Sequence, residues 1–571
     1  MSAFKQRESS SSCAVTIGVD YGTESGRVVV LSLDDGQELA SVAVPYRHRV
    51  IDRMLPGSHV PLPADWALEH PSDYLDVLRL GVPQALAKAA VAPDRVVGLG
   101  VDATSCTVIP VDASGTPLCL DPAWAHRPHA WPKLWKHHAA QPWADRLTEV
   151  AEDRGESFLS RYGGRISAEW YFPKLLEIFS EDRAVYDAMA GFVEATDWIV
   201  WHLTGLERRN SCTAGYKAFW APEEGLPNLA YFEAVQEGFR PEEKLGTEFY
   251  PLGTKAGTIR PEVAQPLGLS REVAVAVGNV DAMVSVPAVG VNAPGTLVMV
   301  MGTSICHLTI TREEVRLPGV TGVVKDGILP GWYGYEAGQA AVGDMFGWFV
   351  ERCLPPEYHR QAKERKQTLF EYLEDLASQV PPGSRGLVAL DWWNGNRSIL
   401  GDADLSGVLV GLHLATRPEE MYRALLESTA MGTKRIVENF EQHGIGIQNL
   451  LACGGLAQKS PLLMQIYADV ANLPVQVTDS DQVPARGSAL FGALAAGSHQ
   501  GGFDSMAEAS ERLAAPIRHR YQPDAQRHQA YLAVYGVYRD LYARMGQDVD
   551  QICHRLTAIR RAERPTDVTA I

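Results

Sequence analysis

Two turns rich in glycine and hydroxyl side chains lie between apolar stretches and have the composition of phosphate-binding loops. The first, GVDYGTESGR at residues 18–27, precedes VVVLSL, and the second lies within LVMVMGTSICHLTI, around Gly302. A glycine turn between strands can point successive backbone N–H groups at an anion, and Thr or Ser adds hydroxyl donors. Each turn taken alone could also be an ordinary hairpin, which needs glycine for the same conformational reason.

Two aspartates near these stretches could act on a bound phosphate. Asp20 ends the first strand-like run, where a hard carboxylate could hold Mg²⁺ or its water shell. Asp281, in GNVDAM, precedes the helix-like sequence AMVSV. It either caps that helix, since aspartate is a favoured N-cap residue, or acts as a base. The two roles are compatible, because the helix dipole keeps a carboxylate at that position ionised.

A third glycine turn has the composition of a nucleoside site. The stretch LLACGGLAQKSPLLMQIYADVANLPV is typical of a strand, a turn and an amphipathic helix. Two phosphate turns from opposed lobes, together with a Gly-Gly turn, would form a cleft that could close on ATP. The later stretch GSALFGALAAG, from Gly487, has small residues at helical spacing and predicts a close approach of two helices.

Length and composition restrict the elements that position these residues. A chain of 571 residues with 46% apolar content is too long for one hydrophobic core and predicts two lobes. The formal net charge of −17 argues against a general nucleic-acid binder or a protein of anionic membranes. The eight cysteines are dispersed with no C-x-x-C pair, which disfavours a zinc site or disulfide framework and favours the cytoplasm. No apolar run reaches 18 residues.

The order of predicted elements indicates a duplicated fold. Strand-like runs surround a helix-length stretch at residues 71–90, and the order strand, Gly-Thr turn, strand returns near Gly302. We expect four regions: a disordered N-terminus at 1–13, an N-terminal lobe at 14–285, a C-terminal lobe at 286–550, and a C-terminal tail at 551–571.

The motifs, taken together and in this order, resemble those of the FGGY carbohydrate kinases, relatives of actin, hexokinase and the heat-shock chaperone ATPases. The resemblance runs from about Val15 to Tyr542 and rests on four stretches, GVDYGTESGR, VMGTSICHL, LACGGLAQKSPLLMQIYADV and GSALFGALAAG. It implies an α/β fold with two ribonuclease H-like lobes of the actin/hexokinase type, and ATP and sugar in the interlobe cleft. Stretches such as GVDATSCT and TAGYKAFW are similar to members that phosphorylate L-ribulose to its 5-phosphate in arabinose catabolism. D-ribulose, D-xylulose and pentitols stay open as alternatives.

The resemblance also implies roles for individual residues. Asp281 would be the catalytic base and would contact the sugar, together with Ala103, Thr104, Lys217 and Glu336. Asp20 would hold the magnesium of Mg-ATP. The nucleotide would be bound by Gly22, Thr23, Glu24, Gly302, Thr303, Ser304, Gly343, Gly454, Gly455, Ala457 and Gln458. One contact is left out, because Gly347 stands before Trp348 where many members have glutamine.

The expected partners are a small-molecule sugar and ATP, with neither nucleic acid nor membrane. Related kinases are often dimers, which leaves a homodimer open. An ATP-driven switch of the actin or chaperone type is the competing hypothesis, but it would need a peptide-binding appendix or a self-complementary surface, and the sequence has no separate third domain.

Two aromatic stretches have no assigned role. In the first, Trp135 and Lys136 are candidates for the cleft wall. The adjacent His137 and His138 make a poor metal site, because neighbouring side chains on a helix point about 100° apart. The second, DWWNGNR at residues 391–397, could belong to the core or to an interface.

Overall fold

The computed structural model describes residues 14–547 and 551–562. The predicted disorder of residues 1–13 and the last part of the predicted tail, 563–571, lie outside the described residues. The first part of that tail forms a helix, in which Cys553 and Thr557 are buried.

The strands are short and spread over the whole chain. In chain order they are β1 (Val15–Tyr21), β2 (Ser25–Ser32), β3 (Glu38–Pro45), β4 (Val96–Ala103), β5 (Val108–Val111), β6 (Gly191–Glu194), β7 (Arg209–Asn210), β8 (Phe249–Tyr250), β9 (Lys255–Thr258), β10 (Ala274–Ala276), β11 (Asn279–Val280), β12 (Thr296–Met301), β13 (Ile305–Thr311), β14 (Gly322–Lys325), β15 (Tyr333–Gln339), β16 (Val388–Leu390), β17 (Val408–Val410), β18 (Asn449–Cys453), β19 (Val475–Thr478) and β20 (Ile517–Tyr521).

Helices connect most of the strands. In chain order they are α1 (Pro71–Asp76), α2 (Val82–Ala89), α3 (Gln141–Arg154), α4 (Tyr171–Glu181), α5 (Arg183–Ala188), α6 (Ala195–Thr204), α7 (Ser211–Lys217), α8 (Leu229–Val235), α9 (Glu242–Leu245), α10 (Pro261–Leu267), α11 (Asp281–Ala288), α12 (Gly343–Arg352), α13 (Pro356–Glu364), α14 (Leu369–Ser378), α15 (Pro418–Gln442), α16 (Gly455–Lys459), α17 (Pro461–Ala471), α18 (Val483–Ala496), α19 (Met506–Leu513), α20 (Ala525–Gln547) and α21 (Ile552–Ala562).

The first sheet has the order β3-β2-β1-β4-β10-β9. Strands β1, β2 and β3 form an antiparallel meander, β4 and β10 run parallel to β1, and β9 is antiparallel at the edge. Strand β11 pairs with the end of β4. Because β1 and β4 are parallel and in register, their carboxyl ends bring Asp20 beside Asp102.

The second sheet repeats this arrangement. Its order is β14-β15-β13-β12-β18-β19-β20, in which β12, β13 and β15 form the meander and β18 and β19 run parallel to β12. Strands β1 and β12 therefore occupy equivalent central positions, and each is followed by a Gly-Thr turn. The duplicated two-lobed α/β fold expected from the motifs is confirmed.

Helices α11 and α18 pack against each other between the two sheets. Helix α18 covers β1 and β4 of the first sheet, although it comes from the second half of the chain. Small residues permit this approach: a Cβ at Gly18 would lie 1.7 Å from the Ala485 carbonyl oxygen, and one at Gly487 would lie 2.1 Å from that of Val284. The small residues of GSALFGALAAG thus allow a helix–helix contact, as predicted, and also a helix–sheet contact.

The helix predicted at residues 71–90 is present as α1 and α2. A π-helical turn at Val77–Gly81 joins them. At this turn a Cβ on Gly81 would lie 2.7 Å from a methyl group of Val28, so the glycine allows the helix to pack on β2.

An insertion in the first half contains α3, α4, α5, α8 and α9 around a core rich in aromatic side chains. Helix α7 carries Lys217 to the second half of the chain, where α7 packs against β14. None of the helices in residues 14–547 and 551–562 has the length and apolar character that a bilayer span requires.

Candidate active site

The first glycine turn is a tight hairpin between β1 and β2. The N–H of Gly22 donates to the Ser25 carbonyl at 3.1 Å. The Thr23 hydroxyl accepts a hydrogen bond from the Trp135 indole N–H at 3.1 Å, and Glu24 is exposed. The indole therefore holds this turn in place, in agreement with a position of Trp135 at the cleft wall.

The second turn has an additional support. The N–H of Gly302 donates to the Ser304 carbonyl at 2.9 Å, and the N–H groups of Val342 and Gly343 donate to the carbonyls of Thr303 and Gly302. A Cβ at Gly343 would lie 2.5 Å from the Gly302 carbonyl oxygen. Helix α12 thus begins directly against the turn, which requires glycine at its first position.

The third glycine turn lies beside the second. Gly454 has φ of 94°, and a Cβ there would lie 2.4 Å from the carbonyl oxygen of Met301, the last residue of β12. Gly455 begins α16, in which Ala457 is buried. The Gln458 amide donates to the Ser480 carbonyl at 2.7 Å. The structure therefore brings the predicted nucleotide residues of the second half to one edge of the second sheet.

Asp281 is the first residue of α11 and directly follows β11, which pairs with the end of β4. Its Oδ1 accepts from the Ala282 N–H at 2.6 Å, although the N-cap position belongs to Val280. Burial, supported by the negative charge of Asp20, raises the pKa of Asp281 to about 7. The carboxyl group lies within electrostatic range of Asp20 and of Cys306, which are two residues from the first and second turns.

Asp102 is a site residue that the motif analysis missed. It is fully buried beside Asp20, and the Ser488 hydroxyl of α18 donates to its Oδ2 at 2.5 Å. Burial raises the pKa of Asp102 well above its usual range. The sequence contained a signal, since the tripeptide Gly-Val-Asp directly precedes the last residue of both β1 and β4.

Asp20 has the environment of a cation ligand. Burial raises its pKa, while Arg27, whose guanidinium lies 3.4 Å away, opposes the rise. A side-chain hydrogen bond from Asp102 likewise opposes the rise. In the described part of the chain no group of three or more His, Cys, Asp or Glu residues could hold a metal ion. A hard carboxylate such as that of Asp20 suits a divalent ion that takes most of its oxygen ligands from phosphates and water.

On the other side of Asp281, Lys217 and Glu336 form an ion pair between the two halves of the chain. The Lys217 Nζ lies 3.0 Å from Glu336 Oε2, and both residues are 7% exposed. Burial alone would lower the pKa of Lys217, but Glu336 outweighs this and the pKa lies above its usual value. Ala103 is buried at the end of β4, and the Thr104 hydroxyl is hydrogen-bonded to that of Thr107.

The segment 135–138 is a turn, so the assumption that its histidines lie on a helix was wrong. The buried Lys174 ammonium holds this segment by donating to the carbonyls of Leu134 and Trp135. His137 is buried against Glu177, whereas His138 reaches Glu169 at 3.1 Å. The two imidazoles therefore bind different carboxylates.

The aromatic stretch 391–397 contributes to the core and to the cleft. Trp392 is buried in the core of the second lobe, and Asp391 accepts from the Gln339 amide at 2.7 Å. Arg397, at the other end, lies 3.7 Å from the carboxylate of Glu169 in the first half. Trp392 therefore belongs to the core and Arg397 contacts the other half of the chain, whereas an interface role for the rest of the stretch stays a prediction.

Family models cover most of the chain. The N-terminal domain model of the FGGY family of carbohydrate kinases matches residues 15–288, and the C-terminal domain model matches residues 297–496. Two curated relatives with the name ribulokinase are each 49% identical to this chain. The protein from Geobacillus thermodenitrificans aligns over 95% of this chain and 96% of its own length, and that from Halalkalibacterium halodurans over 97% and 99%.

Solved structures share the fold at lower sequence identity. The xylulose kinase from Rhodospirillum rubrum superimposes with a TM-score of 0.76 and 23% identity, over 93% of this chain and 99% of its own. At this identity the likeness establishes the two-lobed architecture.

Proposed function

The chain belongs to the FGGY family of carbohydrate kinases, and from that premise we propose that it transfers the γ-phosphoryl group of ATP to the 5-hydroxyl of L-ribulose. The name ribulokinase carried by relatives that are 49% identical over nearly their whole length supports ribulose as the sugar. The observation that carries the proposal is the position of Asp281. Its carboxyl group lies within electrostatic range of residues beside both glycine turns and of the Lys217–Glu336 pair.

In the proposed reaction Asp281 accepts the proton of the sugar hydroxyl. The hydroxyl oxygen forms a bond to the γ-phosphorus, the bond from that phosphorus to the bridging β,γ-oxygen breaks, and ADP leaves. The raised pKa of Asp281 suits this role, because a carboxyl group with a pKa near 7 is a stronger base than an exposed one and is still ionised in part at neutral pH.

The two turns would bind the phosphates. Gly302 and Thr303 are exposed, and the hydrogen bonds of the second turn leave their conformation fixed before ATP binds. Gly22, Thr23 and Glu24 would bind from the first lobe. The glycines at 343, 454 and 455, with Ala457 and Gln458, would place the adenosine. Such fixed backbone donors can stabilise charge on the transferred group without rearrangement.

A magnesium ion would be held by Asp20 together with the ATP phosphates. When bound, such an ion neutralises phosphate charge and orients the γ-phosphoryl group. Asp20 would bind the ion or its water shell, and Arg27 would keep the Asp20 carboxylate oriented.

The sugar would lie between Lys217, Glu336 and Asp281, with Ala103 and Thr104 at the end of β4. Ion-paired side chains leave further N–H and carboxylate oxygens free for hydroxyl groups, and a site built to hydrogen-bond hydroxyls rejects analogues that lack them. A cytoplasmic location, suggested by the dispersed cysteines, remains a prediction. The homodimer and the lobe boundary at residues 285/286 also remain predictions.

The test is a coupled assay of ADP release with Mg-ATP and a panel of sugars. We expect kcat/KM to be highest for L-ribulose when it is compared with D-ribulose, D-xylulose and the corresponding pentitols. A higher value for another pentulose would replace the sugar assignment and keep the kinase. No ADP release with any sugar, together with ATP-dependent filaments in sedimentation, would favour the switch hypothesis instead, which the named relatives do not support.

A further inference from the structure

We propose that Arg397 and Glu169, from opposite halves of the chain, are sugar-binding residues that extend the pocket beyond Lys217 and Glu336. The inference rests on the proposed sugar kinase activity. It assigns a role to Arg397, at the end of an aromatic stretch whose purpose the sequence left open.

Arg397 lies along the same face of the second sheet as Glu336. Glu336 and Gly338 are two residues apart on β15, so they project to one face of the strand. A Cβ at Gly338 would lie 2.9 Å from Cδ of Arg397. The arginine stem therefore crosses Gly338, and the guanidinium group lies within electrostatic range of Glu336 and Cys306.

Glu169 reaches this place from the first half. Its Oε1 lies 3.7 Å from an Nη of Arg397 and 3.1 Å from Nε2 of His138. Burial alone would raise the pKa of Glu169, but Arg397 and His138 outweigh it and lower the pKa to about 2. Glu169 is also within electrostatic range of Lys217, so the four charged residues form one group across the cleft.

The Arg397 guanidinium has donors to spare. Within residues 14–547 and 551–562 the guanidinium makes no hydrogen bond. Its distance of 3.7 Å to the Glu169 carboxylate is too long for one. The Arg397 and Glu169 side chains are each 23% exposed, so both are accessible to a small ligand. Leaving donors of a largely buried charged group unmatched is costly, and a ligand that accepts from them would recover that loss.

The chemistry of the group suits a neutral polyol. Two cations, Lys217 and Arg397, face two anions, Glu336 and Glu169, so the group carries no excess charge that would select an anion. A guanidinium presents parallel N–H donors that match oxygens on adjacent carbons, and the carboxylate beside it accepts from their hydroxyl hydrogens. We therefore assign this pair to vicinal hydroxyl groups of the sugar.

The competing explanation is that Arg397 and Glu169 form only a contact between the halves. The chain offers a matched control for it, because Arg161 and Glu314 also form an ion pair between the halves, at 2.9 Å, and the Glu314 side chain is likewise 23% exposed. Arg161 and Glu314, unlike Arg397 and Glu169, are not among the charged groups that shift the pKa of Lys217.

The test compares steady-state kinetics of the wild type with Arg397→Gln, Glu169→Gln and Glu314→Gln. We expect the KM for the sugar to rise at least about tenfold in Arg397→Gln and Glu169→Gln, because each variant loses one charge-assisted hydrogen bond to the sugar. The KM for ATP should change less than about twofold. Glu314→Gln should leave both constants unchanged. Arg397→Lys should recover little, because an ammonium keeps the charge and lacks the parallel donors.

Several results would overturn the inference. One is an unchanged sugar KM in Arg397→Gln and Glu169→Gln proteins that unfold at the wild-type temperature by circular dichroism. Another is full recovery in Arg397→Lys, or an equal rise in Glu314→Gln, either of which would indicate a contact between the halves only. If Arg397→Gln and Glu169→Gln both unfold below the wild-type temperature, Arg397→Lys becomes the deciding variant. A wild-type sugar KM in Arg397→Lys would then overturn the inference. A wild type that phosphorylates no sugar would instead overturn the proposed function, and the inference with it.

Discussion

As the proposed base, Asp281 would have to remove a proton while it stands among other acidic groups. Burial and the charge of Asp20 raise its pKa to about 7, whereas the Ala282 N–H and Lys217 favour the ionised form. The same surroundings that make the carboxyl group a stronger base also make its ionisation sensitive to pH near neutrality. The chemistry of the candidate site therefore depends on the balance of charges around one residue.

Replacement of this residue tests its role directly. We expect Asp281→Asn to lower kcat by at least about a hundredfold, because the amide cannot accept the proton. ATP binding, measured by calorimetry, should persist, since the variant leaves both glycine turns intact. Asp94→Asn, an exposed acid at the opposite end of β4, is the matched control and should keep full activity. Substantial turnover in Asp281→Asn would remove the assignment of the base.

The pH profile gives a second test at this scale. A protonated carboxyl cannot accept a proton, so kcat/KM for the sugar should fall as the pH drops through about 7, approaching a tenfold loss per pH unit below it. The measurement is initial rates between pH 5.5 and 8.5, with circular dichroism at each end to exclude unfolding. A flat profile over this range would contradict the raised pKa of Asp281.

Some site residues could be predicted from local sequence and others could not. The Gly-Thr turns are visible because a turn between two apolar strands is a local property of a few adjacent residues. Glu169 and Arg397 meet only after the two halves come together, and no short-range pattern records a contact between residues that far apart. Asp102 is an intermediate case. The repeated Gly-Val-Asp tripeptide is a local pattern, but its meaning depends on the pairing of β1 with β4, which places Asp102 beside Asp20.

At the scale of elements, α18 determines how closely the first sheet can be covered. Its backbone lies so near β1 and β4 that Gly18, Gly98 and Gly100 have no room for a Cβ.

The strands and the helix at residues 71–90 could be predicted, because apolar periodicity reports buried faces. The helical interpretation of residues 135–138 failed, because tertiary bonds from Lys174 to backbone carbonyls hold that segment in a turn.

The close approach of α18 predicts a large effect from one methyl group. We expect Gly18→Ala to lower the free energy of unfolding by about 1–3 kcal/mol or more, because its Cβ would lie 1.7 Å from the Ala485 carbonyl oxygen. Gly536→Ala is the matched control: it lies within α20 with nothing within 4 Å of its Cβ, and should gain about 0.5–1 kcal/mol. Urea unfolding measures both. Equal stability of the two variants would contradict the packing described for α18.

At the scale of the molecule, two equivalent sheets are joined by α11 and α18, and ion pairs bridge the two halves of the chain. Lys217–Glu336, Arg161–Glu314 and Glu169–Arg397 all connect the first half to the second. A ligand that adds hydrogen bonds to both sides of the pocket should favour closure of the cleft. Duplication could be predicted from the repeated motif, but these bridges could not, because they depend on how the halves face each other.

Solution scattering tests closure of the whole molecule. We expect the radius of gyration to fall when L-ribulose and an ATP analogue that resists transfer are added together. The proposed sugar site takes Lys217 from the first half and Glu336 from the second, so omission of L-ribulose should reduce the change in the radius of gyration. An unchanged radius of gyration at saturating ligand would indicate that the cleft is already closed.

The position of α18 also sets a condition on how the protein is made. The ribosome releases the strands of the first sheet early, yet the helix that covers β1 and β4 ends at residue 496, about 220 residues after β10. At synthesis rates of about 5–20 residues per second, roughly 10–40 s pass between the synthesis of β10 and that of the end of α18. During this time the apolar face of the first sheet that α18 covers is exposed. A nascent chain stopped before residue 483 would thus be an aggregation-prone fragment, and we expect its survival in the cell to depend on chaperones that shield the uncovered strands.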